Sequence, residues 1–572
     1  MPRFQSSFIS SKYFAMLCSG SILMVLTAVM GIADTMIAGI LLGEDAVSGV
    51  CLVVPVYALA SFFAVFLSYG VPILYAGKVG TFQKEEADRC FGSGLTVSIV
   101  LGILMFVAIL GLGNAFLGLF HIEGKVYESA YEYLSWMKYV VLLLPLNELL
   151  DGMLFADGDE MVSLVANLTQ GVAKVVLSVV LCRSVGAKGL AMASFLSFAI
   201  SILISSFHFW RPGNSLKLNL SFSFALLWEM MKYGIVDGST HLAVSVFTFA
   251  IEFFVIRRFG SEMLILVSVI TLLKEAQILF EGIGEAITPL ISIYYGEECY
   301  PGVQKVWKLA LRSVKVESLL ISGILLIFAP AIVGLLGIED PSAARYATWG
   351  LRLFSLTLIF TCRMFLDSSY FILVGHFGLG VFDSFLRDLF PAFPLAVLGG
   401  ILGGVYGMYI ALMAAPVLGY LLSVLYIKHK YGREGYPLLL TEMEHRKKVK
   451  LYEFTILPEK VIAVRDQIGV AMQENGCSAH LMDTAMVVFE ELFMLIYDCN
   501  QGKKVHAECT VELGEVIRLI SKDDGRIVDL TDTNQQVRSL RSYALSQMLE
   551  SHTRMRIHSL ALSYNHNALE IR

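Results

Sequence analysis

Ionisable side chains inside apolar runs are the residues of this sequence best placed to do chemistry. Asp34 lies among Ile32, Ala33, Met36 and Ile37, and Glu252 follows it by 218 positions in a second apolar run. Lys174, Lys274, Glu281, Glu285, Arg363 and Asp367 stand in further runs of the same kind. A charge at mid-bilayer costs about 2.5–3.5 kcal/mol on insertion scales, so each such group needs a reason to be there. The chemistry open to them is cation binding, proton carriage and contact with a polar substrate. The alternative for each is an ion pair that holds helices together, which suits Arg363 and Asp367, four residues apart. At 100° per residue Lys274, Glu281 and Glu285 fall in one narrow stripe of a helix, which should face a cavity or another helix rather than lipid. Gly282 and Gly284 beside them permit close packing. The nine cysteines are scattered, with no Cys-x-x-Cys pair and no metal-ligand spacing, so reduced thiols and no metal centre are expected.

The elements that must hold these groups are membrane helices. Of the 572 residues 56% are hydrophobic and 16% charged, against roughly a quarter charged in a soluble domain. Mean hydropathy is +0.68. Apolar runs long enough to cross a bilayer recur at 13–42, 46–75, 93–118, 130–155, 161–183, 188–210, 235–258, 262–294, 312–337, 347–374, 380–402 and 404–427. In lipid such runs must be helical, because the backbone has no other partner for its polar groups. The first run is too long for a cleavable signal. Lys12, Lys78, Lys84, Arg89, Arg211, Lys217, Lys305 and Lys428 fall in one set of connections and far fewer cations in the other. By the positive-inside rule both termini are then expected to be cytoplasmic, and a multi-pass protein of the cell membrane, bacterial in source, is the expectation. A net charge of −6 gives no reason to expect nucleic acid as a partner.

Two halves repeat. Leu42-Gly43 returns as Phe259-Gly260, Leu150-Asp151 as Leu366-Asp367, and Gly186-Ala187-Lys188-Gly189 as Gly404-Val405-Tyr406-Gly407, at shifts of 216 to 218. Six spans per half is an even number, so the halves face the same way about an axis along the membrane normal. Such repeats are typical of alternating-access carriers. The expected fold is therefore an all-α polytopic protein of about twelve helices in two pseudo-symmetric lobes, about 1–210 and 221–427. A basic linker at 428–450 and a soluble α/β domain at 451–572 should follow.

Ile32-Ala33-Asp34-Thr35-Met36-Ile37-Ala38-Gly39, followed by Leu42-Gly43 and Pro55, resembles the opening of the MATE (multidrug and toxic compound extrusion) family. Phe155-Ala156-Asp157-Gly158-Asp159 resembles the loop after its fourth helix, and Gly186-Ala187-Lys188-Gly189 the turn before its sixth. The resemblance covers roughly 13–427. It implies export of organic cations or other amphiphiles against sodium or proton entry, with Asp34 as the coupling carboxylate and no enzymatic activity. One departure bears on coupling. Where many family members carry Asn-x-x-Leu-Asp in the fifth span, this chain has Lys174-Val175-Val176-Leu177-Ser178. An ammonium at that place supplies the charge a bound cation would bring, which puts a sodium site in the N-terminal lobe in doubt. Glu252 is the near-symmetric partner of Asp34 in the other lobe.

Beyond Leu451 the pattern is soluble. Helices are expected over 461–473 and 479–497, and paired strands over 508–513 and 516–521. Glu490-Glu491-Leu492-Phe493 resembles the start of the first nucleotide box of the GHKL, anti-sigma-factor-like ATPases, and Asp523-Asp524-Gly525 their Asp-x-Gly box, where the Asp meets the adenine amino group. The magnesium-binding Asn expected four residues after Glu491 is Leu495, and Asn500 lies about 140° further round the helix. Arg541-Ser542-Tyr543-Ala544 stands where a glycine-rich lid should be. The resemblance therefore implies a degenerate domain, without metal-dependent hydrolysis and with weak adenine-nucleotide binding through Glu491, Asp523 and Gly525, that regulates transport or binds a cytosolic protein. Two further readings are a lipid-linked saccharide flippase, which would want clustered cations such as Lys174, Lys274 and Arg363, and a membrane signalling protein. In every case the bilayer and a small-molecule ligand are partners.

Overall fold

The computed structural model describes residues 8–571 apart from 81–83, 158, 212–215, 337, 339, 433–434, 442–447, 502, 527–552 and 557–564, together with the helix positions whose side chains are not placed, Glu285 among them. The helices are α1 (Phe8–Leu42), α2 (Glu44–Cys51), α3 (Val54–Gly80), α4 (Lys84–Gly118), α5 (Lys125–Ala156), α6 (Glu160–Val185), α7 (Lys188–Ser206), α8 (Phe224–Phe259), α9 (Ile265–Gln277), α10 (Glu281–Gly296), α11 (Tyr300–Leu335), α12 (Pro341–Ser355), α13 (Leu358–Leu373), α14 (Phe377–Asp388) and α15 (Ala392–Tyr431). Among the described residues eight helices are long and apolar enough to cross a membrane, nine if the bent pair α12–α13 is one span. The twelve runs read from the sequence include two more, α5 and the broken α9–α10. They also divide the stretch Phe377–Tyr431, which reverses direction within α15.

That reversal shows why the repeat is visible in sequence. Gly404 holds φ 61° and ψ −150°, and Gly186, at the matching place in the first half, holds φ 73° and ψ −149°. Only glycine adopts such a conformation cheaply. On each arm the returning helix lies so close that a Cβ on Gly189 would stand 2.5 Å from the Leu181 backbone, and one on Gly407 2.2 Å from Gly399 O. Gly43 and Gly260 repeat the relation at helix ends, with φ of 89° and 91°. Cys51 Sγ meets Ser268 Oγ at 3.2 Å, 217 residues apart, so repeat-related positions touch where the pseudo-two-fold axis must pass. Small residues also bring the lobes together elsewhere. Gly70 of α3 lies against the Met230 backbone of α8, and Gly282 of α10 lies against Ser21 of α1.

By compactness the chain forms two units that do not follow chain order. One holds 20–284 and 313–426; the other joins 1–19, 285–312 and 427–572. In the second unit the C-terminal residues form a five-stranded antiparallel sheet in the order β1-β2-β3-β5-β4. Its strands are β1 (Val449–Thr455), β2 (His506–Glu512), β3 (Ile517–Asp523), β4 (Thr553–Arg556) and β5 (Asn565–Ile571). Helices α16 (Pro458–Glu474) and α17 (Ala479–Cys499) cover one face, burying Phe489, Leu492 and Phe493 against Cys509, Leu519 and Leu569. Alternation along the strands turns Ser521, Asp523, Asn565 and Asn567 toward these helices and Glu508, Lys522 and His566 to the opposite face.

Candidate functional site

Asp34 sits eight residues before the C-terminal end of α1, a 35-residue helix with no proline and no charged residue in its first or last turn. It is 4% exposed. Lys174 of α6 places Nζ 3.5 Å from Asp34 Oδ2. Tyr133 of α5 donates its hydroxyl to the same oxygen at 2.7 Å, and Ser194 of α7 approaches it at 3.5 Å. Oδ1 has no hydrogen-bond partner among the described residues. Four helices thus converge on one carboxylate, and the ammonium stands beside it. Ser178, one turn after Lys174, is fully buried with its hydroxyl unpartnered among the described residues. Tyr133 was not foreseen; nothing in its local sequence marks it, and only the crossing of α5 over α1 brings it there.

Glu252 of α8 is 0% exposed, and neither Oε atom finds a donor among the described residues. Arg257, one turn along, instead packs over Phe253 at 4.5 Å. A buried carboxylate without donors needs a proton or a cation to offset its desolvation.

The stripe expected of Lys274, Glu281 and Glu285 does not lie on one continuous α-helix. A 3-10 turn at Ile278–Phe280 interrupts the helix, so the 100° projection fails beyond Gln277. Lys274 pairs with Asp388 of α14 at 2.9 Å and lies over Phe247 at 5.1 Å. Glu281 opens α10 beyond the break, and the Glu285 side chain lies outside the described residues. Arg387 also holds Asp388, at 2.9 Å, so one buried carboxylate serves two cations. No local pattern marks this pairing, because Asp388 lies at the end of a helix and its partner is 114 residues away. Arg363 Nε donates to Asp367 Oδ2 at 2.9 Å, the intrahelical pair its spacing suggested. Asp151, the repeat partner of Asp367, accepts from Asn167 at 2.8 Å and from Ser163.

Outside the spans, Asp157 and Asp159 of the loop after α5 hold His208 between them, each at 2.8 Å from a ring nitrogen. Arg211 adds a bond to Asp159 at 2.7 Å. Burial raises the Asp159 carboxyl, but His208 and Arg211 outweigh it and hold it below the usual range.

In the C-terminal domain Asp523 is 0% exposed. Its Oδ1 accepts from Gly525 N at 3.0 Å and Asn565 Nδ2 at 2.9 Å, while Oδ2 has no partner among the described residues. Burial pushes its carboxyl up to about 6, against the bonds from Asn565 and Gly525. Leu495 is part of the apolar core. Asn500 closes α17 and accepts Arg526 N at 2.8 Å, so it fixes the turn after β3. Glu491 is half-buried on α17. The segment 541–544 lies outside the described residues.

The MatE family model matches residues 21–180. No curated protein matches the chain. A multidrug resistance MATE family transporter of the MOP superfamily, solved facing inward, superposes with a TM-score of 0.63 at 20% identity, over 72% of this chain and 98% of its own. The outward-facing form gives 0.60 at 20% identity, over 73% and 96%. A MOP superfamily transporter from Pyrococcus furiosus Vc1 (DSM3638), described as having a binding pocket of reverse polarity, gives 0.60 at 21% identity, over 73% and 95%. The fold is that of the MATE transporters. This chain is accordingly a multi-pass membrane protein, with Asp34, Tyr133, Lys174 and Ser194 inside the first lobe of a MATE fold and Glu252 inside the second.

Proposed function

We propose that the chain is a secondary active transporter of MATE type, exporting organic cations or other amphiphilic small molecules by alternating access, with a regulatory cytosolic domain. The observation that carries this reading is the pair Asp34 and Glu252. They are buried ionisable groups at repeat-related positions of two lobes that touch at Cys51 and Ser268. Lys174 beside Asp34 takes the part of a fixed cation, so sodium has little call on the first lobe. Proton coupling then runs through Glu252, or through Lys174 and Asp34 acting as a unit. The flippase reading is weaker, because Lys174, Lys274 and Arg363 each face a carboxylate and form no open cluster for a pyrophosphate. Both termini are cytoplasmic in this reading, as the loop cations indicate.

The C-terminal domain is a degenerate GHKL-type module that binds an adenine nucleotide weakly without hydrolysing it. The unpartnered Oδ2 of Asp523 supports this, as an acceptor suited to an amino group, and Leu495 in place of a metal ligand argues against phosphate chemistry. Flux of a fluorescent organic cation in proteoliposomes under an imposed proton or sodium gradient tests the transport reading. A proton-driven flux abolished by Glu252→Gln supports it, and equal flux with and without either gradient would overturn it.

A further inference from the structure

The sheet face turned away from α16 and α17 carries a row of charged residues in register. Glu453 lies opposite Glu508, Glu508 opposite Lys522, and Lys522 opposite His566. A face of this composition would ordinarily be solvated. Here Glu508, Thr510, Lys522 and His566 are at most 3% exposed, because within the same compact unit they meet the end of α10 and the turn before α11. Tyr294 donates its hydroxyl to Glu508 at 2.7 Å. Lys522 Nζ bonds Glu297 at 2.7 Å and Glu508 at 2.8 Å, and lies 4.2 Å from the centre of the Tyr294 ring. His566 Nε2 stands 2.9 Å from Glu297. Thr510 meets Cys299 at 3.8 Å.

Glu453 joins helices of opposite lobes. One oxygen accepts the backbone N–H of Ile9 in the first turn of α1, at 3.1 Å, where helix donors lack intrahelical partners. The other oxygen pairs with Lys305 of α11. Phe8 packs on Ile293 of α10 beside it. The helices gripped here continue into the bundle: α1 carries Asp34, and α10 begins at Glu281.

The chemistry of this contact matters. Permanent interfaces are apolar, and a buried ion network gains little over its desolvation cost. A contact whose centre is Glu297, Lys522, Glu508 and His566 is therefore suited to being made and broken. We propose that the outer sheet face of the C-terminal domain is a releasable clamp on transport. It ties the start of α1 to the α10–α11 turn, and the bundle cycles only when the clamp lets go. This rests on the transport reading above and adds the regulation. β3 and β5 also suit such a device, since Lys522 and His566 hold Glu297 on one face while the next pair, Asp523 and Asn565, faces the opposite way.

Cys299 allows a direct test in the full-length protein. It is 0% exposed under the clamp, and Thr510→Cys places a second thiol beside it. Oxidation of Thr510→Cys in proteoliposomes should link the two sulfurs, lower organic-cation flux at least tenfold, and be reversed by reductant. The double variant Cys299→Ser/Thr510→Cys should be unaffected. Separately, Lys522→Gln and Glu297→Gln should raise maleimide labelling of Cys299 at least tenfold over the parent, with Cys509 still protected as evidence that the domain is folded. A link that forms without changing flux would overturn the clamp, and ready labelling of Cys299 in the parent would overturn the docking beneath it. Absence of flux in the reduced parent would overturn the transport reading and the regulation with it, while the labelling would still report on the docking alone.

Discussion

Asp523→Asn should stabilise the C-terminal domain at neutral pH. The parent carboxyl is moved from an ordinary 3.8 to about 6 by burial. A group raised in the folded state keeps its proton while the unfolded chain releases it. Stability is therefore unaffected below about pH 4, falls as pH rises from 4 to 6, and stays reduced above that. The interval of about two pH units corresponds to about 3 kcal/mol. Asparagine retains the Oδ1 that accepts from Gly525 and Asn565 and has no charge to bury. With a urea dependence of about 1–2 kcal/mol/M for a domain of this size, the midpoint should rise by roughly 1.5–3 M at pH 7.5 and hardly at all at pH 4. Cys509, buried in β2, reports the transition through its reactivity with a maleimide above pH 6 and with a disulfide reagent active in acid below it. An unchanged midpoint at pH 7.5, or the same shift at both pH values, would refute the reasoning.

Other outcomes follow from the same geometry. Lys174→Asn leaves Asp34 buried without its cation, a loss of about 3–5 kcal/mol for comparable pairs. Combined with Ser178→Asp it should create sodium-dependent flux where the parent has little, and sodium-driven transport in the parent that needs Asp34 would contradict this. Purified full-length protein should show no magnesium-dependent ATP hydrolysis and should bind ADP equally with and without magnesium, and Asp523→Asn should abolish that binding in equilibrium dialysis. Burial raises the Glu297 carboxyl, but Lys522 and His566 hold it below its ordinary 4.5. Its contribution is thus present above that value and lost as pH falls through the depressed one. Cys299 should stay protected at pH 5 and become accessible only at a pH below the ordinary carboxylate value, measured by an acid-active disulfide reagent. Gly407→Val places a side chain where a Cβ alone is 2.2 Å from Gly399 O and should prevent recovery of folded protein by size exclusion.

What could be read from the sequence was what depends on local pattern. Apolar run length, the glycines at 43, 186, 260 and 404, and the amphipathic helices and strands of 451–523 all leave a mark within a few residues. Asp34 and Lys174 were singled out because a charge inside an apolar run is conspicuous. Tyr133 and Asp388 were not, because a tyrosine in a long helix looks ordinary and an aspartate at a helix end looks solvated. The helix expected to carry Lys274 and Glu281 together is interrupted, for a physical reason. A 3-10 turn between them changes the angular step, and no proline or glycine marks it. The charged face of β2, β3 and β5 alternates as any half-solvated sheet would, and what covers it depends on the tertiary path of α1 and α10.

The central claim is that buried groups on two lobes couple a proton to a solute. The most direct measurement is proton movement in proteoliposomes, followed with an internal pH dye when an organic cation is added outside. The account predicts proton efflux on addition of the organic cation to the parent, its loss in Glu252→Gln, and no change on replacing sodium with potassium. Proton movement of equal size in parent and Glu252→Gln, or flux that follows sodium alone, would contradict it.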